Sequence, residues 1–294
     1  MTNIFIRPFL DNEFLRHALY AGILVALICA VAGTFVVLRG LAFVGDALAH
    51  GVLPGIAAAL LLGVSGVLGA MVGAAVMMGG VNLVTRKLRL SGDTSVGLLF
   101  VGMLALGVMI TSRSQSFSGD LTRILFGELL GVTWFQLVWQ AIAFVLVGAT
   151  AWVCRRPFLL LCVDEGLTES SGFSVRRFHA IMLALVAVTV VASFQTVGTL
   201  LVLGMLIAPS ATGALVSRRL STMIIVAAIS GSIASYAGLL ISYHFDLAAG
   251  ASIVLSAVAL FALTAIIREV LNSLRRAHPV DDELPHQHTH IRAS

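Results

Sequence analysis

Residues His17 to Leu38 read HALYAGILVALICAVAGTFVVL, an apolar run interrupted by no charged side chain. A bilayer core about 30 Å thick is crossed by roughly 17–25 helical residues, so a run of this kind spans it. Working outward, the same pattern recurs at 41–62, 65–85, 94–111, 135–154, 179–196, 198–216, 221–243 and 247–267. The 294-residue chain is 59% apolar and 11% charged, with a mean hydropathy of +1.03. Soluble proteins average about 45–50% and 25%, so this chain lacks the polar residues to coat a soluble globule. The expected fold is an all-α integral membrane protein, a bundle of eight or nine transmembrane helices. The count turns on 198–216, where Gly198 and Pro209 predict a short or broken helix; counting eight spans would put the N-terminus inside. Arg7, Asp11, Glu13 and Arg16 form a poor signal-peptide flank, and the apolar run continues past Ala30-Val31-Ala32, so the first segment is read as a permanent helix.

The cations set the orientation. With nine helices starting outside, every Lys and Arg except Arg7, Arg16, Arg113 and Arg123 falls on the inner side. Cytoplasmic loops carry such an excess, so the net charge of +4 reports topology and not nucleic-acid binding. The C-terminus is then cytoplasmic. Residues 1–16 form an N-terminal segment, 17–267 the transmembrane domain and 268–294 a tail. Two loops stand apart. Residues 118–131 read as an outer amphipathic helix, with Trp134 and Trp139 at the lipid interface; 155–178 is the largest inner loop, its acidic start at Asp164 and Glu165 and a helix stop at Gly172. Lys87 is the lone lysine and follows Thr85-Arg86, so a G-x-x-x-x-G-K-[ST] nucleotide loop is impossible in this chain. Cys29, Cys154 and Cys162 show no paired spacing, which argues against a disulfide framework.

Polar residues inside the spans are few. A carboxylate near mid-bilayer costs roughly 2.5–3.5 kcal/mol, so such a group faces a partner or a pathway. Asp46 and His50 stand at i and i+4 of the second span, on one helix face. Together they offer an oxygen and an imidazole nitrogen to a transition-metal dication; the alternative is a mutual hydrogen bond that neutralises both. His244 and Asp246 form a second pair at the outer turn before the last span, where helix capping by Asp246 is the simpler role and metal binding the lesser one. In the tail, His286, His288 and His290 alternate after an acidic, proline-containing stretch. That composition predicts disorder, and a His-rich tract can bind metal.

The stretch Val37-Leu38-Arg39-Gly40-Leu41-Ala42-Phe43-Val44-Gly45-Asp46-Ala47-Leu48-Ala49-His50-Gly51-Val52-Leu53-Pro54-Gly55 resembles the motif of permease subunits of the zinc, manganese and iron(II) ABC importers. Two further segments resemble that family in the same order: Asp164 to Val175, and Thr196-Val197-Gly198-Thr199-Leu200-Leu201-Val202 through Pro209 to Thr212. The resemblance covers about residues 15 to 270 and departs at Ala49, where the family has Ser, and at Ala248, where it has Pro. His244 is not part of the pattern. The resemblance implies a homodimeric pore in a bacterial inner membrane, a cytoplasmic ATP-binding cassette subunit and an external metal-binding protein. It places Asp46 and His50 along the metal path and Asp164 to Gly172 at the ATPase. No cofactor is held permanently; Zn²⁺ or Mn²⁺ is the cargo, with zinc favoured because imidazole suits it. A secondary metal transporter or channel is the rival reading. It would need the same pair but no ATPase-binding loop.

Overall fold

In the computed structural model the residues described are 8, 9, 12–88, 92–112 and 129–276. Most of the expected outer helix 118–131, and the tail histidines His286, His288 and His290, lie outside them. The described helices are α1 (Glu13–Arg39), α2 (Ala42–Gly51), α3 (Leu53–Leu61), α4 (Gly66–Leu88), α5 (Gly92–Thr111), α6 (Trp134–Val153), α7 (Arg155–Val163), α8 (Glu165–Ser170), α9 (Val175–Val216), α10 (Leu220–Phe245) and α11 (Ala249–Arg276). Among the described residues, eight stretches are long and apolar enough to cross a membrane, α2 and α3 together making one of them.

Local chemistry sets where these helices end. Gly40 takes the left-handed conformation after α1 (φ 70°), which lets Leu41 N–H reach the Val36 carbonyl at 2.8 Å and Gly40 N–H reach Val37 at 3.2 Å. This pair of bonds satisfies carbonyls that the helix end would otherwise orphan. Gly63 does the same after α3 and Gly172 after α8. At the start of α6, Thr133 and Gln136 exchange side-chain and backbone bonds in a capping box. Between α2 and α3, Pro54 has no N–H to offer the carbonyl four residues back, so the second span is broken just beyond His50.

Contacts along α1 give each helix its direction. Antiparallel α10 lays Gly231 against Ala26 and Ser235 against Gly22. Parallel α6 begins with Trp134 on His17 and leads to Phe158 of α7 on Phe35. The first part of α9 runs from His179, within electrostatic reach of Arg39, up to Thr196, which is bonded to Gln140 of α6. After Gly198 the order reverses: Val202 meets Cys29, Leu206 lies on Gly33, and Gly213 closes on Met223 at the start of α10. The chain therefore doubles back at Gly198, whose φ 74° and ψ 164° are open to glycine alone. The nine-span expectation is corrected in this respect. Residues 198–216 are no full span but a shorter apolar helix, Leu201–Val216, folded back inside the bundle. Because it still returns the chain to the Arg39 face, α1 begins and α11 ends on opposite faces, unlike the simple eight-span alternative.

A second boundary also moves. Hydropathy starts the tail at residue 268, but α11 continues to Arg276. Residues 266–276 read IIREVLNSLRR, rich in strong helix formers that carry the helix past its apolar part. Packing is close because small residues line the contacts. A Cβ on Gly55 would stand 2.9 Å from the Gly73 backbone, and Val52 lies 3.0 Å from the place of one on Gly73. Arg39, Lys87, Arg155, Arg156, Arg176, Arg177, Arg218 and Arg219 all fall at or beside helix ends on one face, the cationic face, toward which α11 carries Arg268. Arg16 falls toward the other, as the contacts along α1 place it.

Candidate metal pathway

Asp46 and His50 lie on α2, one turn apart, with Asp46 Oδ1 at 3.5 Å from His50 Nε2 and both side chains about 30% exposed. A good hydrogen bond of this kind is about 2.7–3.2 Å, so the two groups do not fully satisfy each other. Two ligands on one ion, each about 2.0–2.1 Å from it at tetrahedral angles, stand about 3.4 Å apart. The observed spacing leaves room for one ion held by both groups. Phe100 of α5 presents its ring to His50 at 5.8 Å, nearly edge-on, and to Phe43 at 6.0 Å, so an aromatic wall borders the pair. Gly45 beside Asp46 rests on Leu206, which also lies on Gly33, and so α1, α2 and the returning part of α9 meet at this level. Depth is set by Gly33, which is closer along α1 to Arg39 than to Glu13: the pair sits between mid-membrane and the cationic face.

No group of three or more His, Cys, Asp or Glu side chains gathers among the described residues, so Asp46 and His50 stand as a pair there. His244 and Asp246 are at the far end of α10, on the face opposite Arg39, and are not brought to Asp46 and His50. His244 Nδ1 pairs with the Leu240 carbonyl at 2.9 Å. Asp246 closes α10 in the left-handed conformation (φ 51°), so its capping role is at a helix C-terminus through the backbone, not at an N-terminus through its carboxylate. Gly198 makes the reversal of α9; Pro209 lies in the returning helix, its ring toward Gly231 of α10.

On the cationic face the 155–178 stretch is built rather than loose. α7 buries Pro157, Phe158 and Leu161, while Val163 and Leu167 stay exposed. Asp164 caps α8 by accepting from Leu167 N–H at 2.9 Å. Gly172 ends it, with Phe173 N–H on the Thr168 carbonyl at 3.1 Å and Gly172 N–H on Glu169 at 3.0 Å. Glu165 accepts from the Arg39 guanidinium, which also donates to the Leu161 carbonyl. Sequence reasoning gave Arg39 no role beyond its charge. Its one signal was its place in the quoted motif, directly before Gly40. The burial of Cys162 pushes its thiol up, the Arg39 charge opposing.

Known proteins resemble this chain along most of its length. Residues 11–268 match the ABC 3 transport family. The chain is 38% identical to the manganese transport system membrane protein MntC of Halalkalibacterium halodurans, over 90% of this chain and 91% of that one. It is 36% identical to a probable iron transport system membrane protein of Haemophilus influenzae, over 86% and 93%. Among solved structures it resembles PsaBC from Streptococcus pneumoniae in complex with Fab, with a TM-score of 0.80, 33% identity and coverage of 90% and 95%. An inward-facing metal-chelate type ABC transporter shares the fold at a TM-score of 0.68 and 16% identity. With its broken second span, its reversal at Gly198 and a match from end to end of the membrane domain, the chain belongs to the ABC 3 transport family of metal-uptake permeases, the membrane subunits whose ATPase is a separate chain.

Proposed function

We propose that this chain forms, as a homodimer in a bacterial inner membrane, the path by which a divalent first-row metal passes from an external binding protein to the cytoplasm. Asp46 and His50 are its ligands. The observation that carries this reading is their 3.5 Å spacing on a partly open face. Two copies related by a two-fold axis would offer two oxygens and two nitrogens, a set that one copy cannot complete. The cationic face is cytoplasmic, by the usual excess of Lys and Arg there, which places the C-terminus inside. An ATPase subunit docks on α8 and the exposed Val163 and Leu167 beside it.

The cargo is manganese, with iron(II) next. The imidazole of His50 alone favours zinc, but a carboxylate equal in number to it suits harder ions. The relatives named for their metal carry manganese and iron in those names. The complex of permease, ATPase and binding protein in proteoliposomes tests this against a panel of Mn²⁺, Fe²⁺ and Zn²⁺. Manganese uptake that depends on ATP is expected; accumulation of zinc alone would overturn the choice of metal. His286, His288 and His290 are proposed to sense emerging metal, so deletion of residues 278–294 should leave transport intact but change its dependence on internal metal. Identical uptake curves across a wide range of cellular metal would remove that role.

A further inference from the structure

We infer that Arg39 is a positioning residue that transmits movement of the ATPase-docking helix α8 to the helix that carries Asp46 and His50. The inference rests on the proposed docking of an ATPase at α8. Arg39 is the last residue of α1, and its guanidinium grips two points of the neighbouring segment at once: the Leu161 carbonyl at the end of α7 and the Glu165 carboxylate in the first turn of α8. Its side chain is 15% exposed, whereas that of Glu165 is 62% exposed. The cation is thus held inside the protein while its partner faces the proposed ATPase surface. Phe35, one turn earlier on α1, meets Phe158 of α7 edge-to-face at 5.1 Å, so the same end of α1 is clamped twice. His179 lies within electrostatic reach of both ions, and its buried Nδ1 has no partner among the described residues.

The chain just after Arg39 makes the grip consequential. Gly40 turns it in a two-bond corner, and α2 starts at Ala42 with Asp46 just beyond its first turn. Both bonds tie the corner back to the last turn of α1. A shift of α8 therefore reaches Asp46 and His50 through one guanidinium and a short hydrogen-bonded corner of the chain. A fork of this kind suits Arg, which can hold a carboxylate and a carbonyl together; a lysine offers a point charge on a flexible stem.

The test uses the full complex, with its ATPase and binding protein, in proteoliposomes, with Mn²⁺ offered on the binding-protein side as the probe. Metal delivered per ATP hydrolysed is measured for the wild type, Arg39→Gln, Arg39→Lys, Arg39→Glu, and Arg39→Glu combined with Glu165→Arg. Arg39→Gln should leave basal ATP hydrolysis unchanged and lower metal per ATP by about tenfold, a coupling of ordinary size between two sites. Arg39→Lys should fall between, and the reversed pair should recover part of what Arg39→Glu loses. A purely structural role would lower assembly of the complex and leave metal per ATP in the assembled fraction unchanged, and that result overturns the inference. Should Arg39→Gln fail to assemble, the Arg39→Lys ratio decides: a wild-type value overturns it, a lowered one supports it. Failure of the docking reading would look different, because the ATPase would then still co-purify with Val163→Asp and Leu167→Asp variants.

Discussion

Gly33→Ala is the sharpest probe of how α1, α2 and the returning part of α9 are joined. A methyl on Gly33 would stand 2.5 Å from Ser210 Oγ and 3.0 Å from the Leu206 carbonyl carbon, and nearer still to that carbonyl's oxygen. Comfortable C···O contact begins at about 3.3 Å, so the two helices must part by roughly an ångström. The obstacle is backbone, which cannot rotate away. Overpacking typically costs about 1–3 kcal/mol and occasionally more, and the upper end of that range applies here. At about 2–4 °C per kcal/mol for a chain of this order of size, the midpoint of thermal unfolding in detergent should fall by roughly 6–12 °C. Gly45→Ala is the internal control: it meets only the far end of the Leu206 side chain, at 2.9 Å, which can turn aside. Its shift should be a small fraction of the first. The same displacement moves Leu206 against the helix of Asp46, so Gly33→Ala protein that still folds should also transport poorly. A Gly33→Ala melting point equal to that of Gly45→Ala would refute the packing described here.

Gly198→Ala should destabilise the chain by about 1–3 kcal/mol, because φ 74° with ψ 164° is closed to an L side chain; an unchanged melting point would mean the reversal is not made there. Replacing Glu165 and Gly172 together should abolish stimulation of ATP hydrolysis by the external binding protein, since one bond from Arg39 and the left-handed stop at φ 82° are lost at once. Retained stimulation in proteoliposomes would count against α8 as the docking element.

Much of this was legible in the residues because a bilayer imposes simple demands. Length and apolarity marked the spans, and Asp46 and His50 stood out because charge at that depth is costly. The i, i+4 spacing even gave their shared face. Other features depended on contacts between distant parts of the chain. Nothing local in Arg39 pointed to Glu165, which is 126 residues away in sequence. The reversal at Gly198 was only half visible: glycine and Pro209 signalled a break, but a hydropathy reading counts apolar residues and cannot tell a bend from a return. It is Leu206 on Gly33 and Gly213 on Met223 that show the return. The end of α11 was misplaced for a related reason. Hydropathy stops at the membrane edge near Ile267, whereas helix propensity continues through Glu269, Leu271 and Leu274 to Arg276. The choice of metal was not legible because it depends on the complete set of ligands around the ion, which no single stretch of sequence displays.

Passage of metal over Asp46 and His50 is tested most directly by ATP-driven Mn²⁺ uptake in the reconstituted complex, compared for wild type, Asp46→Ala and His50→Ala at equal incorporation. Both variants should insert and assemble with the ATPase yet accumulate no manganese above the level seen without ATP. Wild-type accumulation in both would contradict the proposed path and leave the pair as a structural feature of α2.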